Sequence, residues 1–275
     1  MGGGRTAEGI ALYKRVDGKY VRQVPYKNQT QIAIREKAEL GQSFSKELKK
    51  VKSKKEFLDL VETRFGKNSV SPDFVNKNDL EMIKKVVGTV ADLEEKYPFM
   101  KGFIKFTSTI SGSSRNIAEM SSNGVLDINS SVWSINKNPI LYNRYIHPAN
   151  NTPESTIAHE FGHAIHSYLY KKMQEYYYKN KDMDNYYSVL ASINSGAILR
   201  KFEEKAYKKI GLNKNTGRAQ ISKFAEMADM VGAKASHEAF AEAFADVFSN
   251  KTKASDASKA FVNEVVKEAK KWNKK

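Results

Sequence analysis

The stretch His159-Glu160-Phe161-Gly162-His163 places two histidines four residues apart, with a glutamate beside the first. On an α-helix, residues i and i+4 lie on the same face, so both imidazoles can offer a nitrogen to one cation. Glu160 is displaced around the turn and can reach a water molecule bound to that cation. The spacing is typical of zinc hydrolases and predicts His159 and His163 as zinc ligands, with Glu160 as a general base.

The flanks of this stretch predict the helix that the motif requires. Thr152 is a favourable N-cap, Pro153 suits the first helical position, and Glu154 places negative charge where the helix dipole favours it. The alternative is that two ordinary helix histidines form the motif by accident, although the chain has only five histidines. Apolar residues recur at spacings of three and four and predict a core-facing stripe: Ile157, Phe161, Ala164, Ile165 and Tyr168.

A catalytic zinc ion needs a third protein ligand, because water occupies its fourth position. His166 lies one turn after His163 on the same helix, which makes it too nearly collinear to complete a tetrahedron. Residues 236–246 predict a second helix with Ser236 as its N-cap. The third zinc ligand is therefore expected on this second helix.

The second helix carries Glu238, Glu242 and Asp246 on one face. We predict that Glu238 coordinates zinc, while Glu242 accepts the outer N–H of a ligating histidine and fixes its tautomer. His237 is an alternative third ligand, because imidazole is an equally good zinc donor. The other interpretation is that the three acids form a solvated helix face.

The segments HEFGHAIH, residues 159–166, and HEAFAEAFADVF, residues 237–248, resemble the catalytic domain of anthrax toxin lethal factor and its relatives. Such zinc peptidases are also found appended to phage minor head proteins and in prophage-encoded toxins. The resemblance covers about residues 80–250. It implies a gluzincin metalloendopeptidase with one zinc ion per chain. The implied zinc ligands are His159, His163 and Glu238, with Glu160 as general base and Glu242 as a supporting carboxylate.

The chain departs from the family pattern at one element. Family members carry Ser-x-Tyr-Gly/Ala before the third ligand, and the phenol helps to stabilise the oxyanion. The nearest counterpart is Ile221-Ser222-Lys223-Phe224-Ala225, in which phenylalanine replaces the tyrosine. Losing one oxyanion donor typically lowers the rate by about 100-fold to 1000-fold. Another phenol is a candidate substitute, and five tyrosines crowd residues 176–187 after the HExxH motif: Tyr176, Tyr177, Tyr178, Tyr186 and Tyr187.

A strand pair is predicted before the metal-binding helix. Residues 116–120 and 125–129 are short strand-like runs, and the Asn123-Gly124 dipeptide between them is a strong hairpin-turn signal. Resemblance to zincins implies that one strand is an edge strand that binds an extended peptide through its backbone. We assign this role to Val125, Leu126 and Asp127. The alternative is a hairpin that only supports the core.

The predicted fold class is α+β, zincin-like, and mostly helical with a small mixed sheet before the metal-binding helix. Residues 1–75 are interpreted as a basic N-terminal extension of a hairpin and helices, and Ser71-Pro72 marks the boundary. Residues 76–275 are then the catalytic domain with a basic C-terminal helix. Further helices are predicted at residues 80–96, 196–210, 220–230, 236–249 and 258–272.

The net charge of +15 is concentrated at the two ends of the chain. Residues 1–55 hold 14 basic and 5 acidic side chains, and residues 251–275 hold 8 and 3, so the middle is nearly neutral. Basic ends can contact nucleic acid, an acidic membrane surface or an acidic partner. A lysine bias from an AT-rich genome explains the same excess without any partner.

Composition limits the remaining possibilities. No apolar run reaches membrane-spanning length, and no secretory signal pattern begins the chain. The absence of cysteine excludes disulfides and cysteine zinc ligands. The lack of a signal pattern favours a cytoplasmic protein, and the resemblance implies a phage-associated one, with delivery to a target cell left open. The expected partners are a protein or peptide substrate and a phage head or delivery partner. A phage structural or binding protein with a structural zinc site and a nucleic-acid-binding module are the alternatives.

Overall fold

The computed structural model describes residue 44, residues 46–110, 117–133 and 152–275, and the backbone of four short strands within residues 5–23. The chain divides into two compact units, residues 1–47 and 48–275. The described part of the first unit contains two antiparallel strand pairs. The second pair agrees with the hairpin predicted in the N-terminal extension. The two pairs are β1 (Arg5–Thr6) with β2 (Gly9–Ile10), and β3 (Leu12–Val16) with β4 (Lys19–Gln23).

The division between the two units lies near residue 47, whereas the sequence predicts a boundary at residue 75. Helices α1 (Lys54–Phe65) and α2 (Pro72–Lys77) both belong to the second unit. Between them, Val70 forms a β-bridge with Phe106, and the Ser71 N–H donates to the Phe106 carbonyl at 2.9 Å. The Ser71-Pro72 signal therefore marks a helix start within a unit.

A three-stranded mixed sheet precedes the longest helix of the described chain. Strands β5 (Lys105–Thr107), β6 (Ala118–Met120) and β7 (Val125–Ile128) lie in the order β5-β7-β6, with β5 parallel and β6 antiparallel to β7. The β6–β7 pair is the predicted hairpin. Its turn requires Gly124, which has a φ of +83°, because a Cβ there would lie 2.3 Å from the Phe103 carbonyl oxygen.

Helices form most of the second unit, which confirms the predicted α+β class of a mostly helical chain with a small mixed sheet. None of the described helices combines the length and apolar character needed to cross a membrane. The remaining α-helices are α3 (Leu80–Lys96), α4 (Ser130–Trp133), α5 (Pro153–Lys179), α6 (Met183–Ser195), α7 (Ala197–Lys209), α8 (Lys214–Ile221), α9 (Lys223–Glu226), α10 (Ala235–Asn250) and α11 (Asp256–Trp272).

Helices α5 and α10 form the centre of the helical core. Phe161 of α5 stacks on Phe244 of α10, with ring centroids 5.7 Å apart and 22° between the planes. Tyr97, at the end of α3, packs against Phe244 at 5.3 Å, and Phe261 of α11 packs against Phe240 at the same distance. Full burial of each such side chain contributes about 1.5–3 kcal/mol. This apolar packing fixes the position of α5 relative to α10.

Two helix boundaries differ from the sequence prediction. The predicted helix over residues 220–230 is interrupted at Ser222, whose Oγ accepts from the Ala225 N–H and caps α9. Helix α10 begins at Ala235, and its N-cap residue is Lys234, whereas the sequence predicts Ser236 as the cap. The Ser236 Oγ instead donates to a buried Glu203 carboxylate at 2.7 Å. The hydroxyl that the sequence predicts as the helix cap therefore hydrogen-bonds to the buried Glu203 carboxylate instead.

The close approach of α5 and α10 depends on Gly162. A Cβ at this position would lie 2.9 Å from the Ala241 Cα and 3.1 Å from the Phe244 Cβ. Because the first of these contacts is with backbone, one helix would have to move. We expect Gly162→Ala to lower the free energy of unfolding by about 1–3 kcal/mol, the usual effect of overpacking a core. Urea denaturation followed by circular dichroism measures this change.

Gly88→Ala on α3 is the matched control, because a Cβ there meets only the Leu48 Cδ2, at 3.4 Å. Replacing a helix-interior glycine at such a site should leave stability unchanged or raise it by up to about 1 kcal/mol. If Gly162→Ala were as stable as the wild type, the contact between α5 and α10 would not be limited by this residue.

Candidate metal centre

Helix α5 presents the predicted histidine pair. Its N-cap is Thr152, whose Oγ1 accepts from the Ser155 N–H at 3.1 Å, while the Ser155 Oγ accepts from the Thr152 N–H at 2.9 Å. This reciprocal cap, followed by Pro153, starts the helix about two turns before His159. The local sequence therefore places His159 and His163 inside the helix, where their four-residue spacing puts them on one face.

Three candidate ligand atoms converge between α5 and α10. The Nε2 atoms of His159 and His163 lie 3.1 Å apart, and the Oε2 of Glu238 lies 3.5 Å from each of them. Within the described residues, this is the one cluster of three or more such side chains arranged to hold a metal ion. The structure brings together the three residues that the sequence predicts as zinc ligands.

The separations of these atoms fit a tetrahedral zinc ion. For metal–ligand bonds of about 2.0–2.1 Å, the edges of a tetrahedron are about 3.3–3.4 Å long. The observed separations of 3.1, 3.5 and 3.5 Å lie on either side of this length. The Nδ1 atoms of both histidines have other partners, so the two Nε2 atoms and a carboxylate oxygen are left to face one another. A cation relieves the repulsion among such donors, so the donor set fits zinc.

Glu242 contacts the outer nitrogen of His159. Its Oε1 lies 2.9 Å from the His159 Nδ1, and its Oε2 accepts a hydrogen bond from the Ser222 Oγ at 2.6 Å. A carboxylate in this position holds the Nδ1 proton, so that Nε2 faces the metal. Glu242 is placed as predicted. Ser222 adds a contact that the sequence pattern does not identify, because it comes from the break between α8 and α9.

The outer nitrogen of His163 faces a neutral group. Its Nδ1 lies 3.0 Å from the His166 Nε2, and the His166 ring stacks on His237 at 4.4 Å with 16° between the planes. The His237 Nε2 lies 3.1 Å from the Tyr170 hydroxyl, so the alternative third ligand has a partner away from the metal position. Burial, with His237 and His163 nearby, lowers the pKa of His166 well below its usual value. Burial and His163 lower the pKa of His237 to about 4.

Glu160 is buried beside the ligands and is not one of them. Glu160 is 7% exposed. Burial raises the pKa of its carboxyl, and this effect outweighs the opposing effect of His163 and His159. Glu119 of β6 is close enough to raise this pKa further. In Glu238, burial also acts to raise the pKa, but the two histidines outweigh it and hold the pKa well below its usual range. The two acids therefore suit different roles, proton transfer and metal binding.

A buried ion pair anchors the start of α10. Arg218 of α8 donates through Nε and Nη2 to the two oxygens of Glu203 on α7, at 2.6 and 2.8 Å. Both residues are 2% exposed or less. The Ser236 Oγ donates to the same carboxylate, and the Arg218 Nη1 donates to Asp229 at 2.7 Å. Because Ser236 lies two residues before Glu238, this network fixes the turn that carries the third candidate ligand.

Asp246, two turns after Glu238 on α10, has a structural role away from the metal centre. Its carboxylate accepts from the Ser255 N–H at 3.0 Å and from the Ser258 Oγ at 2.5 Å. Both donors lie at the start of α11, so this acid joins the two helices. The acidic face predicted for α10 is therefore divided between the metal centre and the core.

Within the described sheet, Val125, Leu126 and Asp127, the predicted substrate strand, lie on the central strand and not on an edge. Strand β7, which contains them, pairs with β5 on one side and with β6 on the other. The Asp127 Oδ1 also accepts from the Thr109 N–H at 2.7 Å. Within residues 46–110, 117–133 and 152–275, β6 is an edge strand because its other side has no strand partner. The sequence hairpin alone cannot show this, because β5 lies outside it.

Phe224 lies beside His159, with ring centroids 6.4 Å apart. The residue that replaces the expected tyrosine is thus next to a candidate ligand. Tyr176 and Tyr177 pack against Trp272, at 5.4 and 5.5 Å. The ring contacts described for the remaining three tyrosines join them to one another: Tyr178, Tyr186 and Tyr187. These contacts do not bring a phenol of this group to the metal centre.

Comparison of the chain with protein-family models, curated protein sequences and solved structures finds no match. Sequence reasoning places His159, Glu160, His163, Glu238 and Glu242 together. It assigns no role to His166, although the three-residue spacing from His163 signals that the two imidazoles are neighbours on the helix.

Proposed function

We propose that the protein is a zinc-dependent endopeptidase with a zincin-like catalytic unit of the gluzincin type. The observation that carries the proposal is the triangle of the His159 Nε2, His163 Nε2 and Glu238 Oε2, whose edges of 3.1–3.5 Å suit one tetrahedral zinc ion. Glu160, buried beside both histidines, is the group available for proton transfer. The resemblance of residues 159–166 and 237–248 to lethal factor-like peptidases supports the same assignment.

Each side chain of the site has a separate role in the proposed peptide hydrolysis. Zinc, when bound, lowers the pKa of a coordinated water molecule and polarises the peptide carbonyl. Glu160 accepts a proton from the attacking water and later delivers it to the leaving amine. Its raised pKa makes it a stronger base than an exposed glutamate. Glu242 retains the proton on the His159 Nδ1 and so keeps this ring in its ligating orientation.

The proposed substrate is an extended protein or peptide segment that docks on β6. This strand packs against α5 and pairs with β7 along one side. Backbone groups on the other side of an edge strand can pair with a peptide as an added strand. Glu119, at the middle of β6, is near enough to Glu160 to affect its pKa. A peptide on this strand would therefore run past the proposed base.

Zinc content, measured by elemental analysis, tests the proposed metal site. We expect about one zinc ion per chain in the wild type and none retained by His163→Ala, because the remaining two residues cannot supply the three protein ligands of a catalytic site. Glu175→Ala, an exposed change on the same helix, should keep the metal. Failure of the wild type to bind supplied zinc would overturn the proposal.

Restoring a phenol beside the metal centre tests the role of Phe224. We expect Phe224→Tyr to raise kcat by up to about 100-fold, because one oxyanion donor contributes about that much to acyl transfer. Turnover of a peptide library under saturating substrate measures the change. An unchanged or lower kcat would show that the oxyanion is stabilised by another donor or that the ring at residue 224 does not reach it.

A second candidate function is a phage structural or binding protein that retains zinc for stability and does not cleave peptides. The apolar Phe224 beside His159 favours it, since an oxyanion donor is missing there. This candidate requires bound zinc without peptide cleavage above the background of Glu160→Gln. Cleavage above that background would eliminate it. A cytoplasmic or phage-associated location and a phage head or delivery partner are proposals that rest on the resemblance alone.

A further inference from the structure

The two candidate histidine ligands have different partners at their outer nitrogens. His159 Nδ1 faces the Glu242 carboxylate at 2.9 Å, whereas His163 Nδ1 faces the His166 Nε2 at 3.0 Å. If the His163 Nε2 is to bind a cation, its ring proton must be on Nδ1. That proton is then donated to the His166 Nε2. His166 must therefore be an acceptor there, with its own proton on its Nδ1 atom.

Within the described residues, the hydrogen bond to His163 is the one that the His166 ring makes. Its Nδ1 is buried and has no hydrogen-bond partner there. One face of the ring is covered by His237, which is held in turn by the Tyr170 hydroxyl at 3.1 Å. His166, His237 and Tyr170 are 7%, 4% and 2% exposed. The ring is thus fixed by packing and directed at a single polar target, the His163 Nδ1.

We propose that His166 is a positioning residue that holds His163 in its metal-binding tautomer. This inference rests on the zinc site proposed above. The stacked His237 and the hydroxyl of Tyr170 keep the His166 ring in place, so α5 supplies both the ligand and its outer partner. The resulting centre is asymmetric. A hydrogen bond to a carboxylate is roughly twice as strong as one between neutral groups, so Glu242 makes His159 the stronger donor and His163 the weaker one.

Substitutions at residue 166 separate the hydrogen bond from the packing. The carboxamide oxygen of glutamine in His166→Gln can occupy the position of the Nε2 and accept the same proton. Leucine in His166→Leu fills the space without an acceptor. The shorter amide in His166→Asn reaches only the position of Nδ1. These three variants form a matched series in which only the glutamine restores the contact with His163.

The measurement is the dissociation constant for zinc, obtained by competition with a chromophoric chelator, together with the Tm of the metal-free protein. We expect His166→Leu and His166→Asn to bind zinc about 10-fold to 100-fold more weakly, the usual effect of losing an outer partner of a ligand. His166→Gln should bind within a few-fold of the wild type. A general structural role of His166 would instead lower the Tm of all three metal-free variants.

An NMR signal reports the proposed hydrogen bond directly. In the zinc-loaded wild type, the His163 Nδ1 proton should give a slowly exchanging downfield resonance, which persists in His166→Gln and exchanges rapidly in His166→Leu. Wild-type zinc affinity in His166→Leu, or an unchanged resonance, would overturn the role of His166 and leave the zinc site intact. If the wild type bound no zinc, the proposed function would fail together with this inference.

Discussion

Replacing Glu160 with glutamine is expected to abolish peptide hydrolysis while zinc stays bound. Glutamine has nearly the same shape as glutamate but cannot accept a proton, and Glu160 is not among the three atoms of the ligand triangle. Loss of a general base lowers the rate by about 10²-fold to 10⁴-fold. Turnover of a peptide library, measured beside zinc content and Tm, tests this expectation.

Glu175→Gln is the control for the change at residue 160. Glu175 lies on the same helix, where its side chain is 47% exposed and pairs with Lys172. The control should keep wild-type activity, zinc content and Tm. Full activity in Glu160→Gln would overturn the assignment of the base. Loss of both zinc and activity would show that Glu160 acts through the structure of the metal site, which contradicts its proposed role.

The largest effect on stability is expected at Arg218. Its guanidinium is 2% exposed and makes two hydrogen bonds to Glu203, which is 0% exposed. Arg218→Leu would leave a buried carboxylate without its cation. Removing one partner of a buried ion pair typically lowers the free energy of unfolding by about 3–5 kcal/mol. Urea denaturation of the metal-free protein measures this loss without the added effect of zinc.

The double variant Arg218→Leu with Glu203→Leu distinguishes charge from packing. Replacing both charges with apolar groups is often neutral or stabilising, so this protein should recover most of the lost stability. Lys214→Ala removes a partly exposed partner of Asp229 and should change stability by less than about 1 kcal/mol. If the double variant were as unstable as Arg218→Leu, the buried charge of Glu203 would not be the cause.

Local signals predict the helices of the second unit well where caps and periodicity agree. The Thr152 cap with Pro153 gives the start of α5, and the expected helix over residues 80–96 coincides with α3. The order of the three strands was not accessible from local signals, because β5 has three residues and pairs with β7 across 20 positions. A hairpin has two strands of similar pattern, and only the third strand decides which one becomes the edge.

The candidate ligands were predictable to different degrees for a physical reason. His159 and His163 share a helix, so their spacing alone determines that they face one cation. Glu238 lies 79 positions after His159, and no local rule fixes how α10 docks on α5. Its assignment depended on the resemblance and on the chemistry of zinc ligands. The contact between His163 and His166 does not follow from the tetrahedral geometry that excludes His166 as a direct ligand.

Gly162 brings α5 and α10 together, and each helix contributes part of the ligand set. In the unfolded chain the histidine pair and Glu238 are separated, so zinc would bind the native state far better than the denatured one. A ligand at 1000 times its dissociation constant raises the free energy of unfolding by about 4 kcal/mol. The melting temperature of this protein would then vary with the concentration of free zinc around it. In an environment poor in zinc, the same chain would unfold more easily and become a better substrate for proteases.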